Sequence, residues 1–258
     1  MKVVILCGGY GTRIRDVADH IPKPMIPIGG LPIIWHIMKS YACFGHTEFI
    51  LCLGYKGDVI KNFFLNYDAQ TKDFTIELGT KNNITFHSNH DESNWCVTLV
   101  DTGLEAMTGA RIKKIQKYVG DEDFMLTYGD GLGDIDINQL VAFHNNQGRT
   151  LTVTGVRPPG RFGELMHSNG VITEFNEKPQ ATDGLISGGF FVASPKLFDY
   201  LGSNEDLIFE QEPMRNMVRD QELMVFEHHG FWQPMDTSRE YQLLNLMYNK
   251  GDAPWVRW

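Results

Sequence analysis

Three times along this chain a short apolar run stops at a glycine-bearing turn and gives way to residues spaced for a helix. The runs are 2–6, 49–53 and 124–127; the turns are Gly8-Gly9-Tyr10-Gly11, Gly54-Tyr55-Lys56-Gly57 and Tyr128-Gly129-Asp130-Gly131; the helical spacings cover 32–44, 59–66 and 137–145. A strand that is apolar at nearly every position has no solvent face and must be covered on both sides. Helices returning between such strands make them parallel, because parallel neighbours need a crossover. The reading is an α/β chain on a mixed, mostly parallel sheet flanked by helices, with ligands received at the carboxyl ends of the strands.

Further strands are expected at 151–156, 187–193 and 223–227, with a last helix over 239–249. Between 68 and 93 the pattern weakens to alternating positions such as Thr75/Glu77 and Thr85/His87, which reads as short strands or a hairpin inserted into the sheet order. No internal repeat or low-complexity linker divides the chain, so residues 1–258 are taken as one domain with a C-terminal extension from about 220.

Lys and Arg together number 23 against 32 Asp and Glu, a formal charge of −9. So acidic a surface argues against general binding to nucleic acid or an anionic membrane, whereas a few well-placed cations suffice for a phosphate-bearing small molecule. Cys7, Cys43, Cys52 and Cys96 form no CxxC pair and no zinc spacing, as expected of reduced thiols in a cytoplasmic protein. Met1-Lys2 leads straight into the first strand without a signal-peptide core. No apolar run reaches the roughly 18 residues of a membrane span.

The chemistry-bearing motifs begin with Leu6-Cys7-Gly8-Gly9-Tyr10-Gly11-Thr12-Arg13. Glycines let the backbone approach an anion closely, so successive N–H groups can surround phosphate oxygens, and Arg13 can add a charged fork. The loop is neither a P-loop nor the GxGxxG dinucleotide fingerprint, whose third glycine is missing. Taken alone it reads equally as a tight strand-to-helix turn. In Ile21-Pro22-Lys23-Pro24-Met25 a proline on each side of Lys23 stiffens the backbone, so the ammonium is presented from a fixed segment; an isolated Pro-Lys-Pro is more often a surface connector. Asp130 ends an apolar strand between two glycines, where a carboxylate reaches a cleft with little cover, and Asp236 follows Trp232-Gln233-Pro234-Met235.

Together, Gly8-Gly9-Tyr10-Gly11-Thr12-Arg13, Pro22-Lys23-Pro24-Met25, Ile28-Gly29-Gly30 and Pro32-Ile33 resemble the signature of sugar-nucleotide pyrophosphorylases. Trp35-His36-Ile37-Met38-Lys39, Gly54-Tyr55-Lys56-Gly57, Val100-Asp101-Thr102-Gly103, Met107-Thr108-Gly109 and Gly230-Phe231-Trp232-Gln233-Pro234-Met235-Asp236-Thr237 are similar to the glucose-1-phosphate cytidylyltransferase branch. The likeness runs from Met1 to Ala253-Pro254-Trp255. It departs from the branch at Ala110, where a second glycine is usual, at Ala106, where a small hydroxyl residue is common, and at Ser187, where asparagine is common.

The resemblance implies a Rossmann-like nucleotidyltransferase fold, a homo-oligomer (a hexamer among the possibilities), CTP and glucose-1-phosphate as substrates, and Mg²⁺ as cofactor. It implies that Asp130 and Asp236 hold the metal, and that Arg13, Lys23 and Lys178 are catalytic. Leu6 to Thr12, Ala106, Thr108 and Gly129 would bind substrate, with the backbone near Gly8 and Gly9 in the base and ribose site. Glu177 and Lys178 would meet the sugar phosphate, with Phe162, Gly163, Gly188 and Gly189 lining the sugar pocket. Arg111 stands at the position given to nucleotide recognition, where a guanidinium can serve either a cytosine carbonyl or a phosphate. The rival readings are the same chemistry with UTP or dTTP, a non-catalytic nucleotide-sugar sensor, and a dehydrogenase.

Other conspicuous residues read as structure. His228-His229 has no nearby third ligand and is expected to be a solvated pair on a turn. Trp35, Met38, Tyr41 and Phe44 have helical spacing and belong to core or interface. Nothing in the pattern makes Cys7 a nucleophile.

Overall fold

The computed structural model describes residues 1–11, 14, 20–79, 83–158, 164–168, 171–176 and 184–258, with backbone alone at 164–168, 171 and 173–176. The first strand, β1 (Val3–Cys7), leads through the glycine loop and a 3-10 turn over Lys23–Met25 to the short pair β2 (Pro27–Ile28) and β3 (Leu31–Pro32). Then come α1 (Ile33–Ala42), β4 (Glu48–Leu53), α2 (Gly57–Leu65), α3 (Tyr67–Thr71), the hairpin β5 (Phe74–Glu77) and β6 (Asn83–Phe86), and β7 (Cys96–Asp101). Beyond α4 (Thr108–Lys114) and α5 (Gln116–Val119) the chain makes β8 (Phe124–Tyr128), β9 (Gly131–Gly133), α6 (Ile137–Gln147) and β10 (Leu151–Val156). It finishes with β11 (Glu164–Ser168), β12 (Val171–Asn176), β13 (Ile186–Ala193), α7 (Glu212–Arg219), β14 (Leu223–His228), β15 (Trp232–Pro234) and α8 (Ser238–Lys250).

Among the described residues the central sheet has seven strands, in the order β14-β10-β13-β8-β1-β4-β7. Of these seven, β13 alone runs antiparallel to its neighbours. The mixed, mostly parallel sheet expected from the sequence is the one found. Its two faces explain the unbroken apolar runs. Val3, Ile5 and Cys7 of β1 pack with α1, α2 and α8 on one side, while Val4 and Leu6 pack with Ile112, Ile115 and Phe198 on the other. Each Val, Leu or Ile so buried contributes about 1.5–3 kcal/mol. Met38 and Tyr41 face this core along α1, Phe44 packs at its edge, and Trp35 is buried against Tyr67 and Trp95 instead.

Helix limits follow local chemistry. The Asp136 side chain accepts from the Gln139 backbone N–H and opens α6, and Gly148 closes it in the left-handed conformation. Thr237 and Glu240 form a capping box at the start of α8.

Two expectations are corrected here. The hairpin β5/β6 is not inserted into the sheet order but forms its own two-stranded sheet. Its alternation puts Phe74, Ile76, Ile84 and Phe86 on one face and Thr75, Glu77 and Thr85 on the other, whereas a central strand needs apolar residues on both. The chain beyond 220 is not an appendage either: β14 is the edge strand of the central sheet, parallel to β10. Strand β7 was missed because Cys96-Val97-Thr98-Leu99-Val100-Asp101 is broken by polar residues, which an edge strand tolerates. Among the described residues no helix is long and apolar enough to cross a membrane.

Candidate active site

Strands β1, β4, β7 and β8 are parallel, so their carboxyl ends open on one edge of the sheet. There the glycine loop, Gly54, Thr102-Gly103 and Gly129-Asp130 come together. Leu6 and Cys7 turn their side chains into the core, which leaves their backbone as the part available to a ligand. Burial holds the Cys7 thiol well above its ordinary range, so it is inert as a nucleophile. Past them Gly9 and Tyr10 are exposed, and Tyr10 donates from its hydroxyl to Glu105 Oε1 at 2.8 Å.

Arg111 organises this edge. Its guanidinium donates to the carbonyls of Leu53 (2.9 Å), Gly103 (2.8 Å), Gly8 (3.1 Å) and Leu104 (3.2 Å) and to Thr102 Oγ1 (2.7 Å). It thereby ties the loops after β1, β4 and β7 to α4. A Cβ at Gly8 would stand 2.2 Å from Arg111 Cζ and one at Gly54 2.5 Å from Nη1, so both glycines exist to admit the guanidinium. Sequence reasoning gave Arg111 to the nucleotide; in this fold its terminal nitrogens are engaged by the protein.

The second cluster is built from far-separated segments. Lys23 sits on the 3-10 turn that Pro22 opens, with its side chain 12% exposed. Its Nζ lies 2.5 Å from Asp130 Oδ2 and 2.5 Å from Asp236 Oδ1. Asp236 reaches Asp130 because β15 pairs antiparallel with β9, Met235 N–H donates to the Asp130 carbonyl at 2.9 Å, and Glu240 of the capping box accepts from Asp236 N–H at 2.7 Å. Burial works against the Lys23 charge, but the two carboxylates outweigh it and raise the ammonium above its ordinary value.

Tyr128, Thr108 and Glu210 form a third group. Tyr128 donates to Glu210 Oε1 and Thr108 Oγ1 to Glu210 Oε2 at 2.7 Å, while Phe209 N–H donates to Thr108 Oγ1 at 2.9 Å. Burial, then the Glu210 charge, push the Tyr128 hydroxyl far up, so it stays protonated as a donor. The Thr108 hydroxyl, on a residue expected to bind substrate, is used within the protein. Ala106 is buried beside it. Gly189, at φ +76°, gives way to the Tyr128 ring, and Trp232 Nε1 donates to the Gly188 carbonyl at 2.8 Å, so these glycines pack against residues of β8 and β15. Tyr128, Glu210 and the role of Trp232 were missed, because no local pattern announces a contact between residues 82 positions apart.

Thr12, Arg13, Phe162, Gly163, Glu177 and Lys178 lie outside the described residues. The His228-His229 expectation is corrected for its first member: His228 is 11% exposed and its Nε2 stands 2.9 Å from Asp134 Oδ1, whereas His229 is solvated. A separate groove of about 680 Å³ beside β7 is lined by Phe64, Ile84, Phe86, Leu99, Asp68 and Glu92. Its described lining is mostly apolar, with Asp68, Glu92 and His90 but no lysine or arginine, unsuited to a polyphosphate.

A profile of the nucleotidyl transferase family matches residues 2–242. The chain belongs to the nucleotidyl transferase family. Over 259 aligned residues this nucleotidyl transferase is 47% identical to the glucose-1-phosphate cytidylyltransferase of Salmonella typhi, covering 100% of both chains. Over 258 residues it is 44% identical to the "Probable glucose-1-phosphate cytidylyltransferase" of Bacillus subtilis (strain 168), again covering 100% of both. A solved UDP-glucose pyrophosphorylase in complex with UDP-glucose shares the fold at a TM-score of 0.68 and 18% identity, over 97% of this chain and 98% of that one. The resemblance read from the motifs is thus borne out along the whole length of this nucleotidyl transferase.

Proposed function

We propose that this nucleotidyl transferase moves a cytidylyl group from CTP to glucose-1-phosphate, giving CDP-glucose and pyrophosphate. The observation that carries the reading is the convergence of Lys23, Asp130 and Asp236 beside the glycine loop, in a chain alignable end to end with glucose-1-phosphate cytidylyltransferases. A sugar-phosphate oxygen bonds to the α-phosphorus of CTP while the bond from that phosphorus to the bridging oxygen breaks and pyrophosphate leaves. The substrate phosphate is already a nucleophile, so the protein aligns two anions and neutralises charge rather than supplying a covalent intermediate.

Backbone N–H groups of Gly8 to Gly11 would cradle the triphosphate, with Arg13 beside them. Lys23 and Lys178 would stabilise phosphate oxygens, Glu177 would accept from sugar hydroxyls, and Gly188 and Gly189 would floor the sugar pocket. Arg111 would act through the loops it holds, setting which backbone groups face the base. The residues fit Mg²⁺ by their chemistry: Asp130 and Asp236 turn two hard carboxylate donors toward one point, each 2.5 Å from the Lys23 nitrogen, and would hold the ion together with substrate phosphates. When bound there, the metal would supply charge neutralisation at the phosphates. The protein is proposed to work in the cytoplasm as a homo-oligomer.

Pyrophosphate release from purified protein with glucose-1-phosphate and CTP, UTP, dTTP or GTP tests the reading. A pocket that hydrogen-bonds one pyrimidine leaves groups unpaired with another, and sites of that kind discriminate by roughly 10⁴ or more. CTP is expected to lead clearly. Comparable kcat/KM for CTP and dTTP overturns the cytidylyl assignment.

A further inference from the structure

Lys23 has two incompatible demands on it. Its ammonium sits between the two carboxylates that the proposed function gives to a divalent cation, at 2.5 Å from each. Yet the same nitrogen is wanted on phosphate oxygens during transfer. Both cannot be met in one arrangement, since a cation shared by Asp130 Oδ2 and Asp236 Oδ1 would need the space the Lys23 nitrogen fills.

We propose that Lys23 is a built-in counter-ion that closes the Asp130–Asp236 pair to free divalent metal, and that the pair opens when a nucleoside triphosphate draws the ammonium away. The inference rests on the reading of these aspartates as metal ligands. Charge explains the closure. Among the described residues of the trio, two carboxylates and one ammonium sum to a single negative charge, and adding a divalent ion beside the retained ammonium crowds two cations a few ångströms apart in a half-buried site. The trio is accessible from the carboxylate side, since Asp130 and Asp236 are 32% and 31% exposed against 12% for Lys23. Incoming metal therefore meets the aspartates first, with the ammonium behind them.

The opening has a geometric basis too. The backbone at Lys23 is held between Pro22 and Pro24, with Met25 N–H on the Pro22 carbonyl at 2.8 Å and Ile26 N–H on the Lys23 carbonyl at 3.1 Å. Only the side chain is then free to swing. It starts beside the glycine loop, where a Cβ at Gly11 would stand 3.1 Å from Lys23 Cβ. A triphosphate in that loop offers the ammonium new anions within the reach of its own stem. Metal and nucleotide thereby enter as a coupled pair, each raising the affinity for the other.

Mn²⁺ binding to nucleotide-free protein, read by electron paramagnetic resonance, tests this without turnover. Lys23→Met and Lys23→Gln should bind Mn²⁺ at least about tenfold more tightly than wild type, and Lys23→Met/Asp130→Asn should lose the gain. Mg²⁺ alone should raise the melting temperature of Lys23→Gln and leave that of wild type unchanged. Lys23→Gln keeps a donor between the carboxylates, so it stands in if Lys23→Met does not fold. Tight Mn²⁺ binding by nucleotide-free wild type that disappears in Asp130→Asn overturns the proposal and keeps the aspartates as ligands. No gain in either Lys23 variant also overturns it; CTP-dependent Mn²⁺ binding then decides the aspartates, which stand as ligands if Asp130→Asn loses it and fall if it does not. A gain that survives Asp130→Asn places the metal elsewhere and overturns both.

Discussion

The Arg111 guanidinium lies in a slot between Gly8 and Gly54 and donates to the Gly8 carbonyl at 3.1 Å. Its burial and its bonds to four carbonyls and a hydroxyl make it a clamp on three strand ends. Arg111→Ala should cost about 2–4 kcal/mol in denaturant unfolding, because those oxygens lose a charged donor in a dry site. Arg111→Lys should recover little, since a point charge cannot reproduce the fork. Gly8→Ala should disturb the same slot. If Arg111→Ala unfolded like wild type and lost only CTP use, the residue would be a ligand contact and not a clamp.

Asp130→Asn and Asp236→Asn should each lower kcat by roughly 100-fold or more while the far-UV circular dichroism stays that of wild type. Each leaves Lys23 one carboxylate, so the fold keeps its local ion pair. Turnover that persists in chelator would sink the metal-assisted reading.

Glu210 joins Tyr128, just before Asp130, to Thr108 at the start of α4. Glu210→Ala should lower kcat/KM by about tenfold through misplacement of both flanks and cost about 1–2 kcal/mol of stability. Steady-state kinetics varied in each substrate separate this from a contact to one of them, which would raise only that KM.

His36 is fully buried in α1, with Nε2 donating to the Ile28 carbonyl at 2.8 Å, and burial pushes it down to about 4. Its ordinary value is about 6.5, so between those values the unfolded chain binds a proton that the native one refuses. The contribution is complete above about 6.5 and is lost as pH falls toward 4, amounting to about 2–3 kcal/mol. Denaturant unfolding across that window should show a shallower pH slope in His36→Gln than in wild type. Equal slopes would mean that His36 does not titrate in this range.

Much of this was legible in the residues. The runs at 2–6, 49–53 and 124–127 declared strands covered on both faces, and the glycine turns after them marked the edge where the site lies. The motifs around Lys23, Asp130 and Asp236 named the family. These features are local: periodicity reports how each residue is buried, and a proline or glycine constrains its own backbone.

What only the tertiary structure decided is which distant groups meet. Nothing in the spacing says that the Lys23 ammonium rests between two aspartates, that Arg111 spends its fork on backbone carbonyls, or that the Thr108 hydroxyl belongs to Glu210. Nor does it say that the polar-alternating hairpin leaves the sheet while the broken run at 96–101 joins it. Those outcomes follow from strand order and from the pairing of β9 with β15, which bring together side chains separated by up to 213 positions. A hydrogen bond depends on where both partners end up, and a sequence states only what each partner is.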